Sequence, residues 1–158
     1  MKRSVPMIAA FVILFGFAPV ALAQHGGHGG MGGSTMKMDT KEVLVEGTKV
    51  TFQIMTNDEH SKMLKDMKMK ADIEPGTTHN ITVLLKDEKT QKEITDATVN
   101  MKVVSPNGKD QVKPLKYEAD MKSYDGYFDL REKGKYQVMI LLKAGDKKST
   151  AGIYYEMK

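Results

Sequence analysis

Residues 48–70 read TKVTFQIMTNDEHSKMLKDMKMK, and the period of the pattern changes in the middle of this stretch. Up to Met55, apolar and polar residues alternate, and Val50, Phe52 and Ile54 fall on one face. Such alternation is typical of a strand with one buried face. Met55 falls on the opposite face, beside the point where the alternation stops. The pattern predicts a strand over residues 48–55 that packs a core with one side.

After this strand the spacing becomes helical. Asn57 or Asp58 can cap a helix, because a short side-chain oxygen accepts a hydrogen bond from an unpaired N–H at a helix start. In a helix that begins there, His60, Met63 and Met67 have i, i+3, i+7 spacing. These three side chains therefore share one face of the predicted helix.

Two interpretations of this helix, which we expect over residues 58–68, are open. In the first, its Met and Leu side chains cover the end of a core, where Met is an adaptable filler. In the second, thioether sulfur and imidazole form a soft metal site, the ligand set that suits Cu(I). The chain contains 13 Met and no Cys. This composition favours the metal interpretation and excludes disulfides.

The N-terminal segment has the pattern of a secretory signal. Lys2 and Arg3 precede an apolar run, and Ala21-Leu22-Ala23 fits the cleavage rule, so we expect residues 1–23 to be removed. Export to the periplasm, with no transmembrane segment after cleavage, is the simplest expectation. Residues 24–40 predict a flexible tail rich in Gly, His and Met, and residues 41–158 predict one domain.

The charge of the chain does not indicate a nucleic-acid partner. Without Lys2 and Arg3, 22 of the 24 basic residues remain against 20 acidic residues, a net charge of +2. This small excess is spread along the chain rather than gathered in a basic stripe.

The rest of the chain predicts short strands separated by turn signals about every ten residues. Residues 136–143 are nearly all apolar and predict a central strand covered on both faces. One helix among so many strands argues against a parallel α/β fold. We therefore predict an all-β, immunoglobulin-like antiparallel sandwich with one short helix inserted after the second strand. The predicted strands cover residues 41–46, 48–55, 79–86, 97–104, 110–117, 123–130, 136–143 and 149–157.

Several segments resemble the YtkA-like domain family of exported bacterial β-sandwich modules, which are akin to FixH and to CopC-type copper carriers. The resemblance covers about half of the chain, residues 82–155. It implies a sandwich fold and metal handling, chiefly of copper. It rests on Val83-Leu84-Leu85-Lys86-Asp87, the strand at 97–103, Ser105-Pro106-Asn107-Gly108, Gly126-Tyr127-Phe128 and Lys133-Gly134-Lys135-Tyr136-Gln137-Val138.

Within 25 positions the chain concentrates both histidines of the predicted domain and several methionines. We predict a copper site at one end of the sandwich that binds or delivers the ion to a receiving protein. Met69 belongs to the same concentration, and Met121 in a later loop can reach the same end. The predicted ligands are His60, Met63, Met67, His79 and Met55.

The competing hypothesis is a sandwich module that binds no metal and docks on a membrane or periplasmic partner. In that case Met63 and Met67 serve only as packing, and only His25 and His28 of the tail attract metal. Neither hypothesis makes the protein an enzyme. The sequence has no nucleophile elbow, no phosphate-binding Gly loop, no HExxH motif and no CxxC motif.

Overall fold

The computed structural model describes residues 37–158, which form two antiparallel sheets with one helix inserted after the second strand. The first sheet has the strand order β1-β2-β3-β7-β6, and the second has the order β5-β4-β8-β9. This architecture confirms the predicted sandwich. The elements are β1 (Asp39–Val45), β2 (Thr48–Thr56), α1 (Asn57–Asp66), β3 (His79–Asp87), β4 (Thr98–Val104), β5 (Asp110–Pro114), β6 (Lys116–Glu118), β7 (Ser123–Phe128), β8 (Gly134–Ala144) and β9 (Lys147–Met157).

The core lies between the two sheets and is built by alternation in the strands. In β2 the buried residues are Val50, Phe52 and Ile54, as the sequence predicts. Burial of such side chains is the main favourable term that holds two sheets face to face. The other core residues supplied by regular strands include Ile81, Val83, Leu85, Val99, Met101, Val103, Tyr124, Phe128, Tyr136, Val138, Ile140, Leu142, Ala151 and Tyr155.

Helix α1 packs on the outer face of the first sheet, away from the main core. Phe128 of β7 is a core residue, so its neighbour Tyr127 points to the other side of the sheet. His60 of α1 contacts Tyr127, and His60 and Leu64 are the buried residues of the helix. The helix therefore covers the side of the first sheet that does not face the second sheet.

The sequence suggested one strand over residues 110–117, but this segment forms two strands in different sheets. β5 pairs with β4 of the second sheet, whereas β6 pairs with β7 of the first sheet. Leu115 lies between them, buried, and its N–H donates to the carbonyl of Val99. Pro114 lacks a backbone donor, which suits it to the end of an edge strand where the chain leaves the sheet.

The prediction of a strand covered on both faces is wrong for β8. Ile140 and its alternate neighbours are buried, but Gln137 and Leu141 are exposed and Met139 is only half-buried. β8 is central within its sheet, between β4 and β9. Within residues 37–158, no element covers the outer side of this sheet. The apolar run in β8 is therefore buried on one face only. Met101 is a core residue, and Met157 packs against the core from a partly buried position.

The predicted signal segment, residues 1–23, and most of the predicted tail lie outside the described residues. The tail was expected to extend to Thr40, but β1 begins at Asp39. Asp39 and Thr40 pair with Ile54 and Gln53 of β2 and belong to the first sheet. Between residues 37 and 158, no helix is long and apolar enough to cross a membrane.

Candidate metal centre

The start of α1 is held by a reciprocal pair of hydrogen bonds between Thr56 and Glu59. The Glu59 N–H donates to the Thr56 hydroxyl at 3.2 Å, and the Thr56 N–H donates to the Glu59 carboxylate at 3.1 Å. This is a capping box, which satisfies backbone donors at a helix start. The sequence suggested Asn57 or Asp58 as the N-cap residue, but the N-cap is Thr56. Asn57 instead ties the helix to the segment before β3, through its N–H to Thr78 and its side chain to Thr77.

His60 is held on the outer face of the first sheet by Tyr127. Its side chain is 1% exposed, and its ring centroid lies 5.5 Å from that of Tyr127 at an interplanar angle of 56°. The Tyr127 hydroxyl and His60 Nδ1 are 3.0 Å apart and share a hydrogen bond. The other ring nitrogen, Nε2, is buried and has no hydrogen-bond partner within residues 37–158. One nitrogen of the imidazole thus has a hydrogen-bond partner, and the other has none within the described residues.

Burial sets the protonation of this pair. Burial lowers the pKa of His60, so the imidazole is neutral at neutral pH, the form that ligates metals. Burial, with the charges of Asp125, Asp72 and Glu118 acting in the same direction, raises the pKa of Tyr127 to about 12. The phenol therefore keeps its proton. Its oxygen can also accept from Nδ1–H, and in that tautomer Nε2 presents its lone pair.

Met69 is brought back toward α1 by the way the helix ends. Lys68 adopts a left-handed backbone with φ of 59°. The Met69 N–H then donates to the Leu64 carbonyl at 2.8 Å, and the Lys68 N–H donates to the Lys65 carbonyl at 2.9 Å. These two bonds form a Schellman motif, which commonly brings the residue after the left-handed position beside the last turn. The usual signal for it is a Gly, and here a Lys takes that place.

Met121 reaches the same region from the turn between β6 and β7. Its N–H donates to the Glu118 carbonyl at 3.2 Å, and the following Lys122 has a positive φ of 51°. The turn therefore folds back beside the outer face of β7. Met69 and Met121 both line a cavity of about 530 Å³ together with His60 and Tyr127.

The wall of this cavity also carries a partly buried carboxyl group, that of Asp125. Burial raises the pKa of Asp125, and the Asn80 side chain opposes this shift by donating to its carboxylate at 3.1 Å. The Thr82 hydroxyl in turn donates to the side-chain oxygen Oδ1 of Asn80 at 2.8 Å. At the edge of the cavity, Lys113 pairs with Glu74. We name this site the outer cavity; the side chains in its lining that could coordinate a soft metal are the imidazole of His60 and the thioethers of Met69 and Met121.

The other predicted helix ligands do not line the outer cavity. Met63 is half-buried on α1. Met67 is exposed and is the C-cap residue, because α1 ends at Asp66. The helical face expected for His60, Met63 and Met67 therefore extends only as far as Met63.

His79 lies on the inner face of the first sheet. It pairs with Thr56 and with the core residue Phe128, and it is 4% exposed. Its Nδ1 is 2.8 Å from the Thr78 hydroxyl, and its ring meets Tyr155 at a centroid distance of 6.5 Å. Burial lowers the pKa of His79, while Glu59 and Asp129 act in the opposite direction.

His79 and Met55 line a second cavity of about 630 Å³. Asp39, the first residue of β1, lies at the same cavity. The five predicted ligands are therefore divided: His79 lies at the second cavity, His60 lies at the outer cavity, and Met63 and Met67 line neither. Met55 borders the second cavity, but it alternates with the core residue Ile54 and pairs with Asn80, so it lies on the outer face of the sheet. His60 and His79 lie on opposite faces of the first sheet. Whether any of these residues binds a metal stays a prediction.

Carboxylates do not complete a site at either place. In the part of the chain that the structure describes, no three side chains of the His, Asp or Glu type are grouped closely enough to hold a metal ion. Such a grouping is the signature of a hard or borderline cation site. A site built on thioethers does not depend on it, and within residues 37–158 the sulfur donors are methionines.

No family model matches the chain, and no curated protein matches it. The resemblance to the YtkA-like family therefore stays a prediction.

Solved structures of other bacterial proteins share the fold. FetP of uropathogenic Escherichia coli strain F11, isolated after recombinant expression in the periplasm, aligns with a TM-score of 0.56 at 10% identity, covering 76% of this chain and 95% of that one. A copper-bound variant of FetP aligns with a TM-score of 0.57 at 11% identity, and the alignment covers 77% of this chain and 97% of that one. A DUF4426 family protein from Pseudomonas aeruginosa PAO1 aligns with a TM-score of 0.55 at 14% identity, and the alignment covers 75% of this chain and 94% of that one. At these identities the likeness shows a shared β-sandwich fold.

Proposed function

We propose that this protein is an exported, periplasmic copper-binding protein that holds Cu(I) in the outer cavity and passes it to a receiving protein. The observation that carries the proposal is His60, which lines the outer cavity together with Met69 and Met121 and whose Nε2 is buried without a hydrogen-bond partner within residues 37–158. A buried polar atom without a partner costs about 1–3 kcal/mol. A ligand that accepts the lone pair of this nitrogen removes that cost.

The donor set suits a soft cation. Neutral thioethers and a neutral imidazole bring no charge, and they match Cu(I) better than Mg²⁺ or Ca²⁺, which prefer oxygen. Tyr127 would keep the His60 ring oriented, as a second-shell partner does for a metal-bound histidine. The absence of Cys from the sequence leaves methionine as the sulfur ligand, and a thioether forms no disulfides in an oxidising compartment.

The fold likeness adds support of a weaker kind, because one FetP structure is that of a copper-bound variant. Release to a partner is consistent with few ligands: two flexible methionine side chains and one imidazole enclose an ion less completely than a closed four-ligand cage.

The test compares two pairs of volume-conserving substitutions by Cu(I) titration against a chromogenic chelator. Met69→Leu with Met121→Leu removes both sulfur donors from the outer cavity. Met63→Leu with Met67→Leu removes one sulfur donor from α1 and one from its C-cap, both outside that cavity. Each swap normally costs less than about 1.5 kcal/mol in stability, so both pairs should fold. We expect the first pair to lose affinity at least tenfold, roughly 1.4 kcal/mol, and the second pair to keep it.

Both pairs are also made with His25→Ala and His28→Ala, which removes the tail histidines as a competing site. Equal affinity of the first pair and the natural chain would contradict the outer cavity as the site. Loss in the second pair alone would favour the helix face expected from the sequence. Absence of Cu(I) binding once the tail histidines are replaced would favour a module that binds no metal.

A further inference from the structure

The outer side of the second sheet carries an unusual share of exposed apolar side chains. Val112 of β5 is 65% exposed, Leu141 of β8 is 46% exposed and Tyr154 of β9 is 55% exposed. The strand registers put these residues on one face, because Val112 aligns with Lys102 and Met139, and Tyr154 aligns with Gln137. We call this side of the sheet the lysine-flanked face, because Lys102, Lys135, Lys143 and Lys148 lie on it. Exposed apolar patches of this kind often mark an interaction surface.

A groove of about 510 Å³ crosses the middle of the face. Gly152 forms part of its floor, and a Cβ placed there would lie 3.1 Å from the Met139 Cγ. The lack of a side chain at Gly152 thus lets Met139 lie across β9. Val112 and Leu141 line the same groove, which extends from β5 to β9 and is crossed by Lys102 of β4.

Lysines flank this apolar strip at both ends of the strands. Lys143 and Lys148 are paired in register at one end, and no ion pair neutralises either within the described residues. At the other end Lys135 lies over the Tyr154 ring, 5.0 Å from its centroid. In the middle, Lys102 pairs with Asp110 at 2.8 Å. Glu156, opposite Lys135, is the other acidic residue on the strands of this face, so four lysines stand against two acidic residues.

We propose that the lysine-flanked face docks on the anionic surface of a lipid bilayer. Aliphatic side chains can enter the boundary between headgroups and acyl chains while flanking lysines contact anionic headgroups. Tyr154 has an apolar ring and a polar tip, as residues at membrane interfaces do.

A protein partner fits this face less well. The cores of protein interfaces are enriched in Arg and aromatic residues and depleted of Lys. This face has four Lys and no Arg. A second copy of the chain is also disfavoured, since two such faces would bring lysines of the same sign together. The proposal does not depend on the copper site, which lies on the outer side of the other sheet.

The experiment is co-sedimentation of the protein with vesicles of phosphatidylglycerol and phosphatidylcholine, compared with vesicles of phosphatidylcholine alone. We expect binding only to the anionic vesicles. Val112→Ser with Leu141→Ser should abolish most of it, whereas Leu44→Ser, a similarly exposed residue on β1 of the first sheet, should leave it unchanged. Lys143→Gln with Lys148→Gln should weaken binding by about fivefold for each lysine, and raising the salt should weaken it further.

The matched control for charge is Lys65→Gln with Lys68→Gln, which removes two lysines near the end of α1 on the first sheet. Equal losses in the two lysine pairs would mean that net charge, not this face, attracts the vesicles, and would overturn the proposal. So would equal binding to both vesicle types, or no binding to either. Sedimentation velocity is run on the same samples: a dimer that Val112→Ser with Leu141→Ser dissociates would assign the face to a second copy and also overturn the proposal.

Discussion

At the residue scale, the feature that separates this domain from a plain sandwich is the environment of His60. Tyr127 orients Nδ1, while Nε2 is buried and unpaired within the described part of the chain. Such an imidazole destabilises the fold unless something binds it, and it does so more when it is charged. The same burial that prepares the ring for a ligand therefore makes the protein sensitive to pH.

Acid should destabilise the protein through His60 and His79. Burial lowers the pKa of both histidines in the folded state, whereas in the unfolded chain they titrate near about 6.5. Below that pH the unfolded chain binds more protons than the folded protein does. The stability that depends on the neutral histidines is therefore fully present above about pH 6.5, and it is lost as the pH falls toward the pKa values of the folded state. The loss is at most about 1.4 kcal/mol per pH unit for each histidine.

Urea unfolding at pH 7.5 and pH 5.5 measures this loss. His60→Gln and His79→Gln should each make the difference between the two pH values smaller, and the two effects should add. A difference that neither substitution changes would assign the acid sensitivity to other groups.

At the element scale, α1 is a short helix whose two ends are both fastened. The capping box closes its start, and the Schellman motif closes its end and returns Met69 toward Leu64. Ten residues are too few for a helix that is stable by itself, so its position depends on these ends and on the burial of His60 and Leu64.

Thr56→Ala should therefore destabilise the domain by about 1 kcal/mol, the usual cost of removing a capping side chain. The substitution removes the acceptor of the Glu59 N–H and leaves β2 otherwise intact. Chemical denaturation followed by far-UV circular dichroism measures the change. Thr98→Ala, at an exposed position of β4, is the control and should shift the free energy of unfolding by less than about 0.5 kcal/mol. Equal effects of the two substitutions would mean that the capping box contributes little.

At the scale of the whole molecule, stability comes from the core between two sheets that no disulfide links, since the sequence has no Cys. β8 shows how this works, because it is central in its sheet yet covered on one side only. Ile140 is 1% exposed and pairs with Met101 and Ala151, whereas the next residue, Leu141, faces outward.

Ile140→Asp and Leu141→Asp form a matched pair that tests this one-sided burial. An unpaired charge at Ile140 would be buried, which costs several kcal/mol and should unfold much of the protein at room temperature. The same charge at Leu141 stays in water and should change the free energy of unfolding by less than about 0.5 kcal/mol. Thermal melts of both variants provide the comparison; similar melting temperatures would contradict the one-sided core.

The sequence by itself determined the local features of this protein. Alternation over residues 48–55 and the helical spacing after it predicted β2 and α1, because apolar period and capping chemistry act within a few residues. Turn signals separated most of the other strands. The number of strands at 110–118 was missed, because a crossing between two sheets at Leu115 depends on Val99 and not on the local pattern.

The arrangement of the candidate ligands was decided only by the tertiary structure. His60 meets Tyr127, which is 67 positions away, and Met121 arrives from a distant turn. His79 is close to the helix in sequence, but its pairing with Thr56 and Phe128 turns it to the inner face. In a sheet, a shift of one residue moves a side chain to the opposite face, so proximity in sequence could not tell which histidine would share a cavity with which methionines.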